Sequence, residues 1–104
     1  MSLDTSRSEL PTADEARRRL QHARDARLIQ LRALGETGPA NDDPLVSHQK
    51  EAIRQVLQQI DEAFDRVEDG TYGTCLGCAR PVPAERLEIL PYTPFCVACQ
   101  RHSS

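Results

Sequence analysis

Four cysteines, Cys75, Cys78, Cys96 and Cys99, stand in the pattern C-x2-C-x17-C-x2-C near the end of the chain, and the sequence holds no others. Each C-x-x-C pair can grip one ion from a single knuckle turn. The spacer lets the second knuckle fold back and complete a tetrahedral S4 set, the closed geometry of structural zinc. This constrains the chain twice. Its last third must fold around a metal, one zinc per chain, and four protein ligands leave no open position for a substrate or a catalytic water. His102, three residues beyond Cys99, is a further donor, but with four thiolates completing the set it reads as a solvated histidine.

Disulfides and a redox dithiol are the competing uses of these thiols. Residues 1–10 contain no apolar h-region, and no apolar run approaches the length of a membrane span. The chain is therefore expected to be cytoplasmic, with no membrane partner. In a reducing compartment paired C-x-x-C motifs favour metal, and a redox dithiol would call for a single motif in a βαβ setting.

The rest of the chain reads as mainly α. Residues 1–11 are polar and unpatterned, a flexible tail. Thr12 opens a capping box with Glu15. Ala13, Ala16, Leu20, Ala23, Leu31 and Leu34 then form one helical stripe, interrupted at Arg27, and Gly35 is a natural helix stop. The stretch 35–43 (GETGPANDD) is turn-forming. Asp43 as N-cap and Pro44 at N1 start a second helix, with Ser47 the fallback cap. Its stripe is Ile53, Val56, Leu57, Ile60, Ala63, Phe64 and Val67, and Gly70 ends it. Two such helices of about 22–25 residues, roughly 33–37 Å long, make an antiparallel two-helix coiled-coil hairpin over 12–69, followed by a small C4 zinc-finger module over 70–104. An antiparallel register would set Arg17, Arg18 and Arg19 beside Glu62, Asp65, Glu68 and Asp69. In the finger, Pro81, Pro83, Pro91 and Pro94 leave room for one helical turn around Ala84 to Leu87, and any helix after Cys99 must be very short.

With 104 residues, 4% aromatics and no tryptophan, the chain cannot build a large core, so a metal staple is in keeping with its size. The net charge of −3 and the pI of about 5.5 argue against a sequence-blind nucleic-acid binder, and no direct DNA binding is expected. No catalytic constellation is visible: His22, His48 and His102 sit on separate elements, and Gly70-Thr71-Tyr72-Gly73 is not a phosphate loop. The hairpin loop carries Asp42 and Asp43, with Glu36 nearby. These acids could reach into a partner from the end of a stiff rod, or Asp43 could only cap the second helix and Asp42 only solvate a turn.

Gly70-x-Tyr72-Gly73-x-Cys75-x-x-Cys78, then Arg86-Leu87, Pro91 and Cys96-x-x-Cys99, resembles the C4 zinc-finger signature of the DksA/TraR family of bacterial transcription factors. The preceding hairpin is similar to that family's coiled coil. The resemblance implies a non-enzymatic, monomeric regulator that binds bacterial RNA polymerase. The hairpin enters the secondary channel, the zinc end stays at the rim, and the tip (Asp42, Asp43 and His48 here) modulates initiation. The family's tip pattern D-x-x-D-x-A aligns with Asp43-Pro44-Leu45-Val46-Ser47-His48, so Val46 and His48 depart from it. The family's alarmone (ppGpp) site uses basic residues where this chain has Leu90 and Gln100, and no alarmone response through it is expected. The alternative is a zinc-stapled interaction module with a different partner and no tip-dependent activity.

Overall fold

The computed structural model describes residues 11–35 and 43–103. Residues 1–10, Glu36 and Asp42 lie outside the described residues, and so does most of the stretch joining the two long helices. Among the described residues four helices follow one another: α1 (Ala13–Gly35), α2 (Pro44–Asp69), α3 (Ala84–Ile89) and α4 (Val97–Ser103). Among the described residues the only β pairing is an isolated antiparallel bridge between Thr74 and Pro81. No described helix is long and apolar enough to cross a membrane. The molecule is elongated, 59 × 29 × 23 Å.

The helix ends follow the local chemistry. The Glu15 amide donates to Thr12 Oγ1 and the Thr12 amide donates to Glu15 Oε1, both at 3.1 Å, which is the expected reciprocal capping box. Asp43 caps α2 by accepting from the Leu45 amide at 2.9 Å, and Pro44 occupies the first turn, where no amide is needed. Gly70 ends α2 in the left-handed region with φ of 84°, and the Thr71 amide then donates back to Arg66 O at 2.9 Å. A side chain at that φ would be strained, which is why glycine stands there.

The two stripes meet, but unevenly. Ala16, Leu20, Ile60, Ala63 and Val67 are buried, and Tyr92 from the finger joins them. Ala16 and Ala63 are small enough to let the helices approach closely around Leu20 and Ile60. Toward the tip, Ile53, Leu31 and Leu34 are only half-buried. Arg27, at a stripe position, is also half-buried, and its guanidinium reaches Gln30 Oε1 at 3.4 Å. A long aliphatic stem can cover a helix seam while its head stays in water.

Two ion pairs fix the antiparallel register. Arg17 reaches Glu68 at 3.4 Å, and two turns further along α1 Arg24 reaches Asp61, two turns back along α2. The expected Arg run is thereby corrected. Arg17 pairs as anticipated, but no described residue makes a hydrogen bond or ion pair with Arg18. Consecutive helical residues point about 100° apart, so three in a row cannot all face one neighbour. Arg24, outside the run, makes the second pair instead. The acids are exposed and the arginines half-buried but open to water, so each pair contributes only about 0–1 kcal/mol and sets register more than stability.

Candidate metal centre

The first knuckle is built by the backbone of 73–82. The Cys75 amide donates to Arg80 O at 2.8 Å, the Ala79 amide to Cys75 O at 2.9 Å, and the Val82 amide to Gly73 O at 2.8 Å. Ala79 takes φ of 66° to close this turn. The second knuckle leads into α4, where the Gln100 amide donates to Cys96 O at 2.9 Å. The Leu76 amide donates to Pro94 O at 2.8 Å and ties one knuckle to the other. Arg86 on α3 adds a further tie, its Nε donating to Phe95 O at 3.1 Å. Leu87 and Val82 fill the small core beneath, with Cys75.

These ties bring the four Sγ atoms within 4.8 Å of one another. A tetrahedral zinc about 2.3 Å from each sulfur would space the sulfurs by about 3.8 Å, and Cys78 and Cys96 lie 3.9 Å apart. The four thiols are thus placed to bind one metal ion, and the residues fit structural zinc. His102 is exposed on α4 and stands apart from this cluster.

The electrostatics agree with the geometry. Burial works to raise the Cys75 thiol, but amide donation from Cys96, Cys78 and Gly77 outweighs it and brings the group down to about 6. The Gly77 and Cys96 amides each lie 3.3 Å from Cys75 Sγ. Cys99 goes the other way, pushed up to about 12, first by its hydrogen bonds to Cys75 and Cys96 and then by burial. Cys75 is thus drawn toward the thiolate while Cys99 is held as the thiol. Four thiolates in this space require a cation, and metal binding must therefore release protons.

Gly77, which the sequence reading passed over, proves to be a close-approach position. A Cβ there would lie 2.9 Å from Cys99 Sγ and 3.1 Å from Cys99 Cβ. Gly77→Ala is expected to displace a ligand and weaken zinc binding by about 10–100-fold, the range seen when the supports of a metal ligand are removed. Competition for zinc with a chromophoric chelator measures this, and unchanged affinity would show that the knuckle yields freely.

The finger is locked to the hairpin by aromatic and arginine side chains. Tyr72 donates its hydroxyl to Pro91 O at 2.7 Å, and Arg66 Nη2 donates to Tyr92 O at 3.4 Å. Arg66 is nearly buried. Burial pulls its guanidinium below the ordinary range, while Glu62, Tyr72, Asp69 and Asp65 pull it back up. No sequence period marks Arg66. The advance signals at this junction were Tyr72 within the Gly70-x-Tyr72-Gly73 motif and its partner Pro91.

The expected tip residues stand far from this centre along the rod. Asp43 is exposed and serves as the α2 cap, His48 is exposed within α2, and Val46 is half-buried. No second titratable group is seen to gather with Asp43 or His48 into a metal-ligand cluster among the described residues.

Residues 70–103 match the family model described as the prokaryotic dksA/traR C4-type zinc finger. The chain is 39% identical over 51 residues to General stress protein 16O of Bacillus subtilis, covering 49% of this chain and 31% of that protein. It is 38% identical over 72 residues to the RNA polymerase-binding transcription factor DksA of Caulobacter vibrioides, covering 68% of this chain and 48% of that one. These matches span less than half the length of the curated relatives. The structure resembles that of transcription factor DksA2 from Pseudomonas aeruginosa, with a TM-score of 0.50 and 26% identity over 88% of this chain and 78% of the other.

Proposed function

We propose that this chain, a DksA/TraR-family C4 zinc-finger protein, regulates transcription by binding RNA polymerase and has no catalytic activity of its own. The observation that carries the reading is that hairpin and finger together, and not the finger alone, follow the fold of a DksA protein over 88% of the chain. In this reading the finger, with zinc held by Cys75, Cys78, Cys96 and Cys99, is the anchor at the polymerase surface. The hairpin over 12–69 is a rod of about 35–39 Å by helix rise, directed into the secondary channel. Asp42, Asp43 and His48 form the end that meets the mobile parts of the enzyme.

Two experiments test this. Full-length, zinc-loaded protein should be retained by RNA polymerase core in a pull-down, and absence of association with both core and holoenzyme would sink the proposal. The tip is tested separately with Asp43→Asn combined with Asp42→Asn. Asparagine caps a helix about as well as aspartate, so the exchange removes charge while leaving α2 in place. Initiation in a reconstituted transcription assay should change while polymerase affinity stays within about twofold. If transcription is unchanged at equal occupancy, the tip acids only cap and solvate. That outcome would favour the second reading, an interaction module with no tip-dependent activity, toward which the capping bond of Asp43 already leans.

A further inference from the structure

A groove of about 320 Å³ lies where α1 passes the finger, on a side of the molecule used neither by the thiol cluster nor by the tip. One lip carries Arg18, Arg19 and His22 from successive turns of α1. The floor is apolar, formed by Ala23 and Pro91. The opposite lip is the end of α3, where Ile89 is 78% exposed, the most exposed large hydrophobic residue among those described, with Glu88 beside it. Arg18 and Arg19 are the two members of the arginine run that the facing acids of α2 do not take up: of the three, only Arg17 forms the interhelical pair.

We infer that this groove is a docking surface for an acidic, amphipathic segment of a protein partner, with an apolar side chain against Ile89 and carboxylates toward Arg18 and Arg19. Charge complementarity carries the choice of occupant. In a chain of net charge −3, two guanidinium groups on one lip, neither in an ion pair among the described residues although Arg19 also acts on the Tyr72 hydroxyl, form a local positive field, and planar guanidinium groups suit bidentate pairing with carboxylates. A polyphosphate or nucleic-acid backbone fits less well, because the floor is apolar and Glu88 repels charge from the other lip. A peptide whose carboxylates lie on one side and whose apolar residue lies on the other meets all three parts. This inference rests on the polymerase reading: the segment belongs to the polymerase surface around the entrance that the rod uses, and the groove orients the anchored end.

The test is the affinity of fluorescently labelled, full-length, zinc-loaded protein for RNA polymerase core, compared with Arg18→Glu/Arg19→Glu, Arg18→Lys/Arg19→Lys and Ile89→Asp. Zinc content and helical circular dichroism serve as controls for folding. The charge reversal is expected to weaken binding at least roughly tenfold and to flatten its salt dependence, while the lysine pair keeps most of the affinity. Ile89→Asp, at an exposed position where folding is not at stake, is expected to weaken binding severalfold or more. If the wild type binds core and all the variants bind equally, the groove is not a docking surface, and the polymerase reading stands without it. If charge reversal weakens binding but Ile89→Asp does not, the groove reads charge alone and the amphipathic segment is overturned. If the wild type does not bind core at all, the polymerase reading fails and takes this inference with it.

Discussion

Cys78→Ser is expected to release the zinc and unfold the finger while leaving much of the hairpin helical. The finger's own apolar core is too small to hold it. Val82 and Leu87 are its fully buried aliphatic side chains, with Cys75 beside them, and burying each returns about 1.5–3 kcal/mol. Structural zinc supplies what so small a core lacks, because in small sites metal binding and folding are coupled. A serine hydroxyl does not replace a thiolate in an S4 site. Chelation of the wild type should reproduce the phenotype, and so should acidification, because protons compete with the metal for all four sulfurs. The hairpin's cluster of Ala16, Leu20, Ile60, Ala63 and Val67 contains no thiol, so far-UV helical signal should persist. Tyr92 joins that cluster from the finger, and Tyr72 binds Pro91 across the junction, so the near-UV tyrosine signal should collapse and the remaining thermal transition should fall. Zinc content by a metal-sensitive dye and circular dichroism at both wavelengths decide the matter. A variant that keeps one zinc per chain and melts like the wild type would show that Cys78 is not a ligand.

The parts of this architecture visible in the sequence are those with a short-range rule behind them. The C-x-x-C spacing, the Thr12–Glu15 box, the Asp43-Pro44 start and the Gly70 stop each depend on a few neighbouring residues, and each has its expected geometry. What was not legible depends on where two distant segments meet. Gly77 looks like any glycine in a knuckle until Cys99 is seen to approach the space its side chain would fill. Arg66 falls at no special period, and only the arrival of Tyr92 buries it and gives it a carbonyl to bind. The arginine run illustrates the reverse error. The register was expected to set all three adjacent cations beside four acids of the facing helix, but helical geometry turns Arg18 and Arg19 toward the finger and leaves Arg24, outside the run, to complete the register.

Ile60→Ala is the second large effect expected, and it shows how unevenly the rod is held together. Ile60 is fully buried against Leu20 and the small residues Ala16 and Ala63. Truncating a large aliphatic side chain in such a site costs about 2–5 kcal/mol, the lost transfer energy plus a cavity that its neighbours fill only partly. Small domains have only about 5–15 kcal/mol in total, so the variant should lose a large share of its stability and sit near the edge of unfolding at 37 °C. Ile53→Ala removes the same atoms from the same stripe two turns nearer the tip, where the side chain is half-buried beside a groove shared with Leu34 and Ala52. Its cost should be several-fold smaller, since water already reaches the site. Urea unfolding of the two variants gives the comparison, and equal destabilisation would mean that the tip half is packed as tightly as the base. The asymmetry has a functional consequence. Amides of α1 and α2 near Leu20 and Ile60 should exchange with solvent only on global unfolding, whereas those near Leu34 and Ile53 should exchange through local opening. On the proposed reading, such a rod is stiff at the end that the zinc finger anchors and compliant toward the end proposed to meet the polymerase.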